Sequence, residues 1–115
     1  MKITFYKQAK SPVLEFIQSL SIKERAKILA CLKNVEELGF ESPRVEFRQI
    51  KGKLWEIKIR AITTGYRIFY VTLQKEQLVL LHAYKKKTQK APLREIAIAE
   101  KRLEEVLTHE HDYTK

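Results

Sequence analysis

The sequence predicts an α+β domain: an N-terminal strand, two helices, a small antiparallel sheet packed against helices, and a C-terminal helix. Three observations carry this prediction. Apolar residues recur every three or four positions from residue 12 to 38 and again from 92 to 106, the spacing of a helix face. In 2–6 and through 45–84 they follow every second position or run continuously, as strand side chains do. The later strands are separated only by short turns, which join neighbours antiparallel.

Lys2 to Tyr6 alternates, with Ile3 and Phe5 set against Lys2, Thr4 and Tyr6, and reads as the first strand. Ser11-Pro12 starts a helix, because serine caps free backbone N–H groups and proline suits the first helical position. Val13, Phe16, Ile17 and Leu20 follow at helical spacing. Ser21-Ile22-Lys23-Glu24 is a capping box, and Ile22, Ala26, Leu29, Leu32, Val35 and Leu38 predict the apolar stripe of a second helix ending at Gly39. Cys31 falls just off that stripe, as a partly buried structural thiol.

After Glu41-Ser42-Pro43 the period changes to two. Val45, Phe47 and Gln49 alternate with Glu46 and Arg48, and Lys51-Gly52 turns the chain. From Leu54 to Arg60 the faces divide, with Trp55, Ile57 and Ile59 on one side and Glu56, Lys58 and Arg60 on the other. Strands over 66–73 and 77–84 complete a meander, with turns at Thr63-Thr64-Gly65 and Lys75-Glu76. Pro92 opens the last helix, whose apolar side is Leu93, Ile96, Ala99, Leu103 and Val106. Residues 1–108 read as one domain and 109–115 as a frayed tail. The helices are expected to cover the Trp55/Ile57/Ile59 face and to leave Lys58 and Arg60 on an open one, joined by the basic loop at 85–90.

At 115 residues the chain is the size of one domain. The single cysteine excludes an internal disulfide framework, and no apolar run has the roughly 18 residues of a membrane helix. A small soluble cytosolic protein, with no membrane contact, is the expectation. The charge is more telling. Of 23 basic residues ten lie within 51–90, accompanied there by only two of the 14 acids, Glu56 and Glu76. Such a local positive field attracts a polyanion, and counterion release makes nucleic acid the natural partner; the alternative is a solvated face that serves solubility alone.

The run Lys51-Gly52-Lys53-Leu54-Trp55-Glu56-Ile57-Lys58-Ile59-Arg60, the step Gly65-Tyr66-Arg67-Ile68-Phe69-Tyr70 and the segment His82-Ala83-Tyr84-Lys85-Lys86-Lys87-Thr88-Gln89-Lys90-Ala91-Pro92 together resemble the RelE/ParE toxin superfamily, in its HigB-like, phage-derived branch. The resemblance implies a RelE-like fold and the toxin of a type II toxin–antitoxin pair. Many members enter the ribosome and cut messenger RNA, whereas ParE members poison gyrase. It also implies a cognate antitoxin, a helix-turn-helix repressor of the HigA kind, with the ribosome and mRNA as further partners. Matched residue by residue, the nuclease positions are Lys58, Arg60, Arg67 and Lys86. A lysine of the best-known nuclease branch corresponds to Glu56, and a tyrosine of its C-terminal segment falls near Pro92.

RNA cleavage by its own 2′-OH requires removal of the hydroxyl proton, stabilisation of the phosphorane charge and departure of the 5′ oxygen. Two histidines would share the proton transfers, but only His82 lies inside the domain. The expected scheme is electrostatic: Arg67 grips two phosphate oxygens, Arg60 assists, and Lys86 or Lys58, with a pKa lowered by cationic neighbours, moves the protons. Lys53, Tyr84, Lys85, Lys87 and Lys90 are the candidate RNA contacts. Tyr84 either stacks on a base or packs in the core, Arg67's face is open because both sides of its strand are apolar, and His82 reads as structural. His109-Glu110-His111-Asp112 lacks a completing ligand and reads as solvated tail. No cofactor is implied. The alternatives are a ParE-like gyrase inhibitor without nuclease activity and a non-catalytic RNA-binding module.

Overall fold

The computed structural model describes residues 1–60, 65–74, 76–86 and 92–114. Its elements are β1 (Lys2–Phe5), α1 (Pro12–Gln18), α2 (Ile22–Leu38), a 3-10 turn (Gly39–Glu41), β2 (Val45–Lys51), β3 (Leu54–Ile59), β4 (Gly65–Leu73), β5 (Gln77–Lys86), α3 (Leu93–Thr108) and α4 (Glu110–Tyr113). The predicted α+β class and element order are the ones observed. The strands form one sheet in the order β1-β5-β4-β3-β2. β2 to β5 is the expected antiparallel meander. β1 lies parallel to β5, so α1 and α2 lie in the long connection from it to the rest of the sheet.

One sheet face packs on α1 and α2. Val13 and Ile17 of α1 and Ile28, Cys31, Leu32 and Val35 of α2 meet Ile57, Ile59, Tyr66, Ile68, Tyr70, Leu78 and Leu80. The capping box forms, with the Glu24 N–H donating to Ser21 Oγ at 3.2 Å, and Gly39 closes α2 at φ 62°. The stripe is turned from the expected one. Ile22, Leu29 and Leu38 are 77%, 44% and 49% exposed, whereas Cys31 is fully buried. The reason is polar: the Tyr66 hydroxyl donates to Glu24 Oε2 and the Ser21 hydroxyl to its Oε1. Glu24 is thereby held toward the sheet, so residues 24, 28, 31 and 35 face inward and residue 22 faces out.

The opposite sheet face is not left open. Leu54, Phe69, Val71, Leu73, Val79, Leu81 and Tyr84 form a second core with Ala99 and Val106 of α3. The sheet therefore carries helices on both sides, and both apolar sets of β4 are buried. A β-bulge makes this possible on β5. Phe69 pairs with His82 but Tyr70 with Leu80, leaving Leu81 as the extra residue, so Val79 and Leu81 point at α3 before the bulge and His82 and Tyr84 do so after it. Residues 110–113, expected within a frayed tail, form α4. Tyr113 packs against this second core, and its carbonyl accepts a hydrogen bond from Gln77 Nε2. No helix among the described residues is long and apolar enough to cross a membrane.

α3 is tied to the sheet through His82. Its Nε2–H donates to Glu95 Oε2 at 2.8 Å, and its Nδ1 accepts from Arg102 Nη1 at 3.1 Å. Burial holds the imidazole pKa below its usual 6.5, against the pull of Glu95. On acidification the unfolded chain takes up this proton first, so stability is complete above about pH 6.5 and declines as pH falls toward the depressed native value. In urea titrations between about pH 7 and pH 5, wild type should lose stability and His82→Gln should lose less of it.

Candidate nucleic-acid interface

The part of the second face that α3 leaves uncovered lies at the end of β3 and β4. Antiparallel registers align side chains across it. Glu46, Lys58, Arg67 and Tyr84 form one cross-strand row, and Arg48, Glu56, Phe69 and His82 form the next. Lys86 stands opposite Gly65. Arg60 follows β3, its N–H donating to the Arg44 carbonyl at 3.1 Å.

Glu56, only 3% exposed, lies at the centre. Its Oε1 is 3.5 Å from Arg67 Nε and 3.8 Å from Arg48 Nη2, and its Oε2 accepts from the Tyr84 hydroxyl at 2.9 Å. Burial, then the carboxylate charge and this hydrogen bond, raise the Tyr84 pKa well above its usual value, so the phenol is a proton donor at neutral pH. Arg67 is 8% exposed, and its Nη1 donates to the Tyr66 carbonyl at 3.3 Å. Its neighbour explains the Gly-Tyr-Arg step. A Cβ on Gly65 would come within 3.3 Å of both Arg67 Nη1 and the Lys86 Cβ, so the glycine makes room for the guanidinium beside Lys86.

Of the four predicted catalytic residues, Lys58, Arg67 and Lys86 come together here, and Arg60 lies at the strand end, lining a separate cleft with Glu46, Phe47 and Trp55. Lys58 is exposed on the row of Arg67, Arg60 is half-exposed with its Nη2 3.5 Å from Glu46 Oε2, and Lys86 borders a cleft of about 420 Å³. Arg48, Glu56, Ile50, Pro92 and Ile96 also line that cleft. Arg67 lies beneath this surface rather than on it. Tyr84 is 6% exposed, its ring stacked on Phe69 at 5.3 Å, so of its two readings core packing is the one observed. Lys85 points to the opposite sheet face, with Nζ 5.9 Å above the Tyr66 ring. Lys53 is in the β2–β3 turn, five residues and roughly 16 Å along the strand from Lys58. Lys87 and Lys90 are outside the described residues.

Arg48 and Glu56 are the members that sequence reasoning did not assign to the site. Their signal was the hairpin itself, since a turn at Lys51-Gly52 brings position 48 opposite 56. Among the described residues no group of three or more histidine, cysteine or acidic side chains could hold a metal ion.

Residues 15–104 match the family model of the phage-derived Gp49-like proteins (DUF891). The chain belongs to that family. It is part of the RelE/ParE-like toxin superfamily and is associated with the toxins of toxin–antitoxin systems, whose partner is an antitoxin. No curated protein matches the sequence.

The role of Gly65 gives a direct test. Gly65→Ala should cost about 1–3 kcal/mol, the usual penalty of overpacking, as read from urea denaturation, and should shift the NMR signal of the Arg67 guanidinium.

Proposed function

We propose that this Gp49-like protein is a HigB-type toxin that cuts messenger RNA on the ribosome, acting in the cytoplasm and held in check by a helix-turn-helix antitoxin of the HigA kind. The observation that carries the reading is the basic stretch of the sheet beside α3, where the exposed Lys58 and the half-buried Lys86 flank the buried Arg67 and Arg60 follows at the end of β3. A row of fixed cations suits a phosphodiester that gains charge as it reacts.

In the proposed reaction the 2′-oxygen attacks the adjacent phosphorus and gives up its proton to a base. The bond from phosphorus to the 5′-oxygen breaks, a proton reaches that oxygen, and a 2′,3′-cyclic phosphate is left. Lys58 and Lys86 are the groups on the surface for the two proton transfers. Arg60 stands beside them for the non-bridging oxygens. Arg67, its charge balanced by Glu56, keeps the strand ends in place from below. Holding the RNA in line adds to the effect of the charge, since positioning supplies several kcal/mol of a barrier.

Arg67→Ala is a poor first test, because it strands a buried carboxylate at a cost of about 3–5 kcal/mol. Lys58→Ala/Lys86→Ala changes one exposed and one half-buried side chain and leaves the buried carboxylate its cations. Primer extension on a message carried by purified ribosomes should show cuts at A-site codons with wild type and a loss of at least about 100-fold in the double variant, the span of general acid–base catalysis. Wild-type protein that arrests growth with messages intact and gyrase supercoiling blocked would overturn the nuclease reading in favour of the gyrase inhibitor. RNA binding without cutting or toxicity would leave a plain binding module.

A further inference from the structure

Two arginines flank the Glu56 carboxylate, and only one of them is exposed. Arg67 is 8% exposed, and its guanidinium is turned inward, with Nε toward Glu56 and Nη1 to the Tyr66 carbonyl. Arg48 sits across the same carboxylate on β2, the outermost strand of the sheet, with its side chain 59% exposed. One nitrogen, Nη2, is 3.8 Å from Glu56 Oε1. The side chain also lines the cleft of about 420 Å³ that Lys86 borders from the other side.

We infer that Arg48, and not the buried Arg67, is the guanidinium that meets a phosphate of the bound RNA strand, with Lys86 facing it across the cleft. This rests on the RNA-binding part of the proposed function. A guanidinium has five N–H donors in a fixed fork. Glu56 steadies the Arg48 fork from one edge and leaves the exposed edge for a phosphate, which takes two parallel hydrogen bonds. Arg67 balances the same carboxylate from inside the sheet. Without that inner cation Arg48 would be the only guanidinium near the Glu56 carboxylate and would be drawn down onto it.

Salt dependence separates the two arginines, because each phosphate contact to a single strand contributes about 0.7 to the log–log slope of affinity against salt. The probe is a short fluorescein-labelled single-stranded RNA, 2′-O-methylated so that it cannot be cut, read by anisotropy across a salt series. Arg48→Gln should reduce the slope by about 0.7, and Arg48→Lys should keep the slope while weakening affinity. The charge-balanced pair Glu56→Gln/Arg67→Gln, which removes the buried ions together, should leave the slope as in wild type. A slope unchanged in Arg48→Gln, or lowered by about 0.7 in the balanced pair, would overturn the assignment, as would wild type that does not bind the probe. Because the probe is uncuttable, a wrong assignment of Arg48 shows as an altered slope pattern, while a wrong nuclease reading shows only on the ribosome. Circular dichroism of each variant confirms that it folds.

Discussion

A carboxylate inside a sheet must be met by cations and donors, and Glu56 imposes that demand on everything around it. Bare burial of an ion costs several kcal/mol even after the protein relaxes. Glu56 answers it with Arg67 at 3.5 Å, Arg48 at 3.8 Å and the Tyr84 hydroxyl at 2.9 Å. Each partner then fixes something else. Arg67 turns inward, into a space where a Cβ on Gly65 would sit tightly, 3.3 Å from its Nη1. Tyr84 turns its ring onto Phe69 and joins the core beneath α3. Arg48 is anchored at one edge while staying on the outside strand. Lys58, one residue-pair further along β3, finds no buried acid opposite it and remains at the surface.

The same site depends on a sheet whose two faces are both apolar, a condition that alternation alone does not reveal. Alternation in β3 correctly separated Ile57 and Ile59 from Lys58. In β4 every residue from Tyr66 to Val71 is buried, so no polar side marks the solvent, and Arg67 could be read either way. The continuous run was itself the signal of a strand covered on both faces. α3 supplies that second cover with Ala99 and Val106, and the bulge at Leu81 shifts His82 and Tyr84 onto its side. A bulge is set by local backbone geometry, and no side-chain pattern announces it.

Legibility followed the same line elsewhere. Caps and turns are local, so Ser21, Gly39 and Lys51-Gly52 could be placed from sequence. The rotation of α2 was set by Tyr66, 42 residues from Glu24, and two overlapping stripes sharing Leu32 and Val35 gave no local means of choosing between them. In the site, the cations were legible as composition while their depth was not. Lys58 and Arg60 reach the surface, and Lys86 reaches it in part. Arg67 is held below it, and Lys85 alternates away because neighbouring residues of a strand point to opposite faces.

Depth also divides the labour among the charges. Glu56 and Arg67 are opposite in sign and adjacent, so together they add little to the field that a distant polyanion meets. That field comes from Lys58, Lys86 and Arg48, with Arg60 partly offset by Glu46 at 3.5 Å. Such exposed charges act over roughly 8 Å at physiological salt and govern encounter and affinity. The buried pair acts over a single hydrogen-bond length and governs where the guanidinium at the surface can stand. In the proposed reaction, a corner built in this way keeps the phosphate in one place without relying on flexible lysines for its geometry, and for that arrangement the acid at position 56 is as necessary as the lysines above it.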